Sequence, residues 1–178
     1  MTLQSEEPKD EGAPEMILRR VGVVRSEIKE PHPPAQSDGR AGQGRTERGD
    51  KQQAATSELV IDPQFDGILD GVENFSHLWV LFWMHRLPPE RRDLVKVHPM
   101  GRNDLPLAGI FATRSPARPN PMGLTVVRLL ERKGNILRVE GLDAIDGSPI
   151  LDIKPYLPRR DAIPDAKAAD QLSRQQDS

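Results

Sequence analysis

Short hydrophobic runs, separated by turns that contain Gly or Pro, set the pattern of the chain. The most apolar run, residues 76–85, is rich in aromatic and β-branched residues, which favours an extended strand. Its even-numbered positions would then form a purely apolar face and its odd-numbered positions an amphipathic one that suits the lining of a pocket. The even face consists of Leu78, Val80, Phe82 and Met84. A short buried helix is the alternative that so brief a run leaves open.

The other apolar runs are equally short and predict further strands. These strands are expected within residues 17–25, 58–61, 94–98, 124–132, 136–140 and 150–154. Gly134 between two of the runs predicts a hairpin, and Asp146-Gly147 predicts a second tight turn. Residues 65–72 have apolar positions at helical spacing, which predicts one or two helical turns. The pattern therefore predicts a mainly all-β fold, a compact β-barrel or sandwich with short helical turns.

Composition suggests that part of the chain does not join this core. The chain has 178 residues, which suits one domain, but only 36% are hydrophobic and the mean hydropathy is -0.58. We expect a disordered leader over 1–15, a domain over 16–158 and a polar tail over 159–178, with a short helix from 164 to 172. Within the domain, residues 37–53 are almost wholly Gly, Arg, Gln, Asp and Ser, and predict a flexible loop or a lid.

Charge and residue usage exclude several classes of function. With 25 basic and 27 acidic residues the formal net charge is -2, so binding to RNA would need a local basic patch. The chain has no cysteine, and its four histidines lack the spacing of a zinc or iron site, so we expect no metal. Neither a Rossmann nor a P-loop fingerprint is present. No signal peptide or membrane-spanning run is evident, so the cytoplasm is the expected location.

One proline-rich segment, residues 109–123, carries a cluster of polar side chains. Its three prolines restrict the backbone around Arg114, Arg118 and Asn120. Two guanidiniums four residues apart on a stiff loop suit a carboxylate or phosphate, and Asn120 adds a donor and an acceptor. The alternative is that the arginines only fasten the loop to nearby Asp and Glu residues. Composition alone does not decide between them.

A second segment, residues 142–156, combines turn chemistry with charged strand positions. Asp152 and Lys154 are two residues apart and therefore share one face of a predicted strand, where they belong to a site or to a solvated surface. Asp146 is explained by turn chemistry alone. Tyr156 is the only tyrosine, and it either caps the core or stacks on a base or purine ring.

Five blocks of this sequence resemble the TsaA-like family of TrmO-type tRNA methyltransferases. They are residues 22–26, 34–36, 75–83, 109–123 and 141–156, so the resemblance runs in order from about residue 16 to 158. It implies a small β-barrel that binds S-adenosylmethionine without a Rossmann fold, a homodimer, and methylation of the N6 nitrogen of N6-threonylcarbamoyladenosine beside the tRNA anticodon. Ser148 stands where the family usually has Thr and keeps the hydroxyl.

The resemblance also gives the polar segments expected roles. It implies that Arg114, Arg118 and Asn120 hold the cofactor or the threonyl carboxylate, with Gln36 and His77 as further candidates for the cofactor site. The residues expected to line the reacting side are Asp146, Asp152, Lys154 and Tyr156. Two alternatives stay open: a non-catalytic module that binds S-adenosylmethionine or RNA, and a methyltransferase for another small acceptor.

Overall fold

The computed structural model describes residues 16–30 and 55–167. Within them, six antiparallel strands close into a barrel in the order β1-β2-β7-β6-β3-β8, and β4 and β5 form a separate two-stranded sheet. This arrangement confirms the predicted mainly-β barrel and excludes the sandwich. Gln36, the predicted loop over 37–53 and the predicted leader over 1–15 lie outside the described residues.

The elements are short, as the sequence pattern predicts. The strands are β1 Gly22–Arg25, β2 Thr56–Ile61, β3 His77–Trp83, β4 Lys96–Val97, β5 Ala108–Gly109, β6 Met122–Lys133, β7 Ile136–Glu140 and β8 Pro149–Pro155. One α-helical turn, α1, spans Pro158–Asp161. Single 3-10 turns span Pro63–Phe65, Val72–Asn74, Pro89–Arg91, Pro99–Gly101 and Ile110–Ala112. The first two confirm the helical turns predicted near residues 65–72.

The core fills the interior of the barrel and includes the apolar face of β3. Leu78, Val80 and Phe82 are 0%, 0% and 4% exposed, so the extended conformation predicted for this run is confirmed and the helix alternative is excluded. Buried residues of β1, β2, β6, β7 and β8 join the same cluster. With large side chains filling its interior, the barrel leaves ligands to bind at its ends or on its outer face.

Two local predictions were wrong. The first strand begins at Gly22 rather than near Ile17, because barrel pairing to both β2 and β8 starts at Gly22, and Ile17 is 81% exposed. The helix predicted over 164–172 is absent from residues 164–167, which form only a turn at 164–165, and residues 168–172 lie outside the described residues. The helical turn that is present lies earlier, in α1. Asp161 closes that earlier turn by accepting a hydrogen bond from the Leu157 amide.

A β-bulge in β8 decides which of its side chains leave the barrel. Phe82 of β3 pairs with Ile150 and Leu81 pairs with Asp152, so Leu151 is an extra residue. Beyond it, Asp152 and Lys154 pair with Leu81 and Trp79 on the outer face, as predicted for residues that share a strand face.

The end of the barrel at which β1, β3 and β7 end and β2, β6 and β8 begin is hereafter called the site end.

Gly123, where β6 leaves the site end, tests how tightly the barrel is packed. A Cβ there would overlap ring carbons of the buried Phe82, so Gly123→Ala should lower the free energy of unfolding by about 1–3 kcal/mol. Gly109→Ala is the matched control, because a Cβ at Gly109 meets nothing within 4 Å. Chemical denaturation measures both variants. Equal stability of the two would contradict this packing.

Candidate functional site

The proline-rich loop at the site end is held together by one of its own arginines. The Arg118 guanidinium donates hydrogen bonds to the carbonyl oxygens of Thr113, Ser115 and Ile110 at 2.8, 3.1 and 3.3 Å. Arg118 therefore fastens the loop to its own backbone and not, as the structural alternative supposed, to Asp or Glu side chains. Its planar fork suits three carbonyls at once.

Further internal contacts make this loop rigid. Thr113 Oγ1 donates to the Ile110 carbonyl and accepts from the Ser115 amide, and Ser115 Oγ accepts from the Ala117 amide. Ala117 is 1% exposed. Because turns of this kind satisfy the backbone locally, the loop keeps its shape without regular secondary structure.

Two polar side chains of the loop remain available to a ligand. Arg114 and Asn120 are both exposed, and neither side chain forms a hydrogen bond or ion pair with any residue that the structure describes. A guanidinium on a rigid support loses little additional freedom when it binds an anion. Of the two arginines that the sequence singles out, Arg114 is thus the one presented for binding.

The Asp146 turn lies at the same end and is tied to the chain that follows β1. The Asp146 carboxylate accepts a hydrogen bond from the Ser26 amide at 3.0 Å and pairs with Lys29 at 2.9 Å. The hydrogen bond from Lys29, followed by that from the Ser26 amide, lowers the pKa of Asp146 below its usual value. Gly147 completes the turn with a φ of +78°, as the predicted Asp-Gly turn requires.

His85 joins this turn to the end of β3, a contact that sequence reasoning did not predict. Its Nδ1 lies 3.4 Å from the hydroxyl of the buried Ser148. Burial, and secondarily the charge of Arg86, lowers the pKa of His85, so the ring is neutral at neutral pH. The Met84 amide donates to the Pro121 carbonyl at 2.8 Å. The proline-rich loop and the Asp146 turn therefore meet at the end of β3.

A polar cleft of about 510 Å³ lies beside Asp146. Its lining includes three basic residues, Arg25, Lys29 and Arg138. A second cavity, of about 390 Å³, is lined mainly by apolar residues such as Val21, Ile68 and Phe75. It lies at the opposite end of the barrel, away from the loop and the Asp146 turn.

The other predicted site residues lie elsewhere. Lys154 forms an ion pair with Asp152 on the outer face of β8, and the Tyr156 ring lies 6.4 Å from that of His77, centroid to centroid. These residues lie along β8 at increasing distance from the site end, and the strand is about 20 Å long. Asp146 and Tyr156 therefore cannot both touch one small ligand within a single chain.

The described residues contain neither a group of metal ligands nor a membrane-spanning helix. Within residues 16–30 and 55–167, no three His, Asp or Glu side chains are grouped so that they could hold a metal ion. In the same part of the chain, no helix is long and apolar enough to cross a membrane.

Comparison with known proteins places these features in a family. Residues 36–162 match the family described as "tRNA-methyltransferase O N-terminal domain". A "Probable S-adenosyl-L-methionine-binding protein" of Methanothermobacter thermautotrophicus is 46% identical over 149 residues, which cover 84% of this chain and 96% of that protein. The "tRNA (adenine(37)-N6)-methyltransferase" of Escherichia coli is 38% identical over 85% of this chain and 62% of its own length.

The fold agrees with this match. A crystal structure of TrmO from Pseudomonas aeruginosa is similar with a TM-score of 0.65 and 32% identity, over 91% of this chain and 64% of that one. The chain therefore spans less than two thirds of the solved TrmO chain and of the Escherichia coli enzyme, but nearly all of the archaeal relative.

Substitution of Arg118 should lower the stability of the protein, whereas substitution of Arg114 should leave its stability nearly unchanged. Arg118→Ala removes three charge-assisted hydrogen bonds and should lower the free energy of unfolding by about 2–3 kcal/mol. Arg118→Lys should recover little, because an ammonium cannot reach three carbonyls as a planar fork does. Arg114→Ala should change stability by less than about 0.5 kcal/mol. Chemical denaturation of the three variants tests this, and equal losses at both positions would contradict it.

Proposed function

The chain belongs to the tRNA-methyltransferase O N-terminal domain family, and on this premise we propose that it is an S-adenosylmethionine-dependent tRNA methyltransferase. The proposed acceptor is the N6 nitrogen of N6-threonylcarbamoyladenosine, beside the anticodon. The observation that carries the proposal is the meeting, at one end of the barrel, of a rigid loop that presents Arg114 with a turn that presents Asp146.

The side chains at the site end fit S-adenosylmethionine. Arg114, whose side chain pairs with no residue in the part of the chain that the structure describes, offers its guanidinium to a carboxylate, and Asn120 adds amide hydrogen-bonding groups. Met122 and Leu124, at the start of β6, are 41% and 49% exposed and offer apolar surface beside the loop. When bound, the cofactor supplies a methyl group activated by a positively charged sulfur. The chain's task is then to align donor and acceptor, since in-line transfer depends on their distance and orientation.

The acceptor nitrogen has a delocalised lone pair, so removal of its proton should assist the transfer. On transfer, N6 would gain the methyl group, the bond from that methyl group to sulfur would break, and the N6 proton would pass to a base. Asp146 is held ionised by Lys29, which makes it a weak base but a good hydrogen-bond acceptor for orienting a ligand. The neutral His85 ring lies at the same end beside Ser148 and has a lone pair that can accept a proton, so we add it to the proposed site. Asp146 retains its proposed place on the reacting side.

Asp152, paired with Lys154, lies about 10 Å along β8 from its first residue, and Tyr156 lies beyond the far end of the strand. We propose that they serve the acceptor side by contacting a substrate much larger than one nucleoside. A tRNA meets that condition. His77, beside Tyr156, belongs with this group rather than with the cofactor residues.

A second function is supported by the archaeal relatives. The protein of Methanothermobacter thermautotrophicus, which this chain matches over 96% of its length, is named only as a probable S-adenosyl-L-methionine-binding protein. A chain of this length could therefore bind the cofactor without turning it over. Cofactor affinity without formation of any methylated nucleoside would favour this second function.

We also propose that the protein is cytoplasmic and forms a homodimer. The dimer is supported by exposed apolar side chains on and around the β4–β5 sheet, next to the proline-rich loop: Val95, Leu107 and Phe111 are 78%, 57% and 83% exposed. Such a cluster is typical of an interface. Sedimentation equilibrium should give twice the mass of 19.9 kDa expected for one chain, and a single-chain mass at micromolar concentration would contradict the dimer.

Turnover tests the main proposal. The wild-type protein should transfer label from S-adenosylmethionine to tRNA that carries N6-threonylcarbamoyladenosine, and digestion should yield the N6-methylated nucleoside. Arg114→Ala should raise the Kd for S-adenosylmethionine about 10- to 100-fold, because a charge-assisted pair is lost. Arg19→Ala, an exposed arginine ahead of β1, is the matched control and should bind normally. Unchanged affinity and turnover in Arg114→Ala would overturn the assignment.

A further inference from the structure

A short helical turn is fastened to the outer face of the barrel by its acidic residue. The Asp161 carboxylate, at the end of α1, accepts a hydrogen bond from the Trp79 indole nitrogen at 3.2 Å and one from the Leu157 amide at 2.7 Å. Trp79 is a half-buried residue on the outer face of β3. These two bonds hold α1 against the surface formed by β3 and β8.

Because of this attachment, the acidic and basic side chains of α1 face in different directions. Asp161 points to the barrel, whereas Arg159 and Arg160 are exposed and their side chains form no hydrogen bond or ion pair with any residue in the described part of the chain. Two adjacent guanidiniums therefore stand beside this surface without acidic partners there.

An aromatic group lies next to these arginines. The Tyr156 ring centroid is 5.9 Å from that of Trp79 and 6.4 Å from that of His77, with tilted and edge-on geometries. All three side chains are half-buried, so each keeps part of its ring open to solvent. Such rings can stack with a base of any sequence.

Nearby acids are compensated by other basic residues. Asp152 pairs with Lys154, and Glu140 pairs with Arg128, whose neighbour across the β3–β6 ladder is His77. The Asp161 carboxylate accepts hydrogen bonds from neutral donors, so Arg159 and Arg160 together leave α1 with a net positive charge among the described residues. With an overall net charge of -2, the protein needs a local patch of this kind to attract RNA.

We propose that the outer face of β3 and β8 around Tyr156, together with Arg159 and Arg160, binds the strand of the substrate RNA. The arginines neutralise backbone phosphates, and Tyr156 stacks on a base. This surface, which rests on the proposed function, extends it from the site end to a separate RNA contact about 20 Å along β8. It also gives the predicted residue Tyr156 a role that does not require it to touch the transferred methyl group.

The test compares variants that remove the same charge from two parts of the protein surface. Arg159→Gln with Arg160→Gln removes two positive charges from the proposed surface. Lys133→Gln with Arg19→Gln removes two from exposed positions outside the proposed surface, at the end of β6 and ahead of β1. Binding of threonylcarbamoylated tRNA is measured as a function of salt, and binding of S-adenosylmethionine, far-UV circular dichroism and sedimentation are measured on the same samples.

We expect the first pair of substitutions to weaken tRNA binding about tenfold or more near 0.1 M salt and to reduce the slope of log affinity against log salt by about 1.4 to 1.8. Cofactor affinity should not change. The control pair should bind tRNA within about threefold of wild type. Tyr156→Ala should weaken tRNA binding at least about fivefold, and Tyr156→Phe, which keeps the ring, should restore it.

The outcomes distinguish this inference from the proposed function. If the wild type methylates tRNA but the Arg159 and Arg160 variant keeps wild-type affinity and salt slope, the RNA surface is wrong and the function stands. If the wild type forms no methylated nucleoside but binds tRNA through these residues, the surface stands and the function is wrong. Absence of tRNA binding by the wild type overturns both. Loss of the dimer in the variant would overturn the surface, because the face would then be a contact between two copies of the chain.

Discussion

The short seam between β1 and β8 holds the barrel closed and positions the Asp146 turn. It closes the barrel through only two paired positions, Gly22 with Ile150 and Val23 with Pro149. Beyond them the seam continues as backbone hydrogen bonds, in which the Gly147 amide donates to the Val24 carbonyl. The contacts that close the core therefore also fix the turn that carries Asp146. Fold and site share one set of hydrogen bonds.

The proline-rich loop separates a structural and a binding role between two similar residues. The Arg118 guanidinium donates hydrogen bonds to three carbonyl oxygens of its own loop, whereas the Arg114 guanidinium is exposed. Proline fixes φ but leaves carbonyls without partners, and a planar five-donor side chain suits several of them at once. The rigidity supplied by Arg118 is what makes Arg114 a preorganised group.

Local pattern predicted most of the strands but not the arrangement of the site. Alternation gave the buried face of β3, because burial repeats every second residue in a strand. The attachment of Asp146 to Ser26 joins residues 120 positions apart, and the contact of His85 with Ser148 spans 63, so no local signal marks them. Proximity in sequence also grouped Asp146 with Tyr156, which the length of β8 separates.

The site end is the proposed binding site for S-adenosylmethionine. The most direct measurement is the change in backbone amide NMR shifts when the cofactor is added to the isotopically labelled protein. We expect saturable shifts at Arg114, His85 and Asp146, with Gly71 and Gly134 at the opposite end unchanged. Shifts confined to that opposite end, or no shifts at millimolar cofactor, would contradict the proposed binding site.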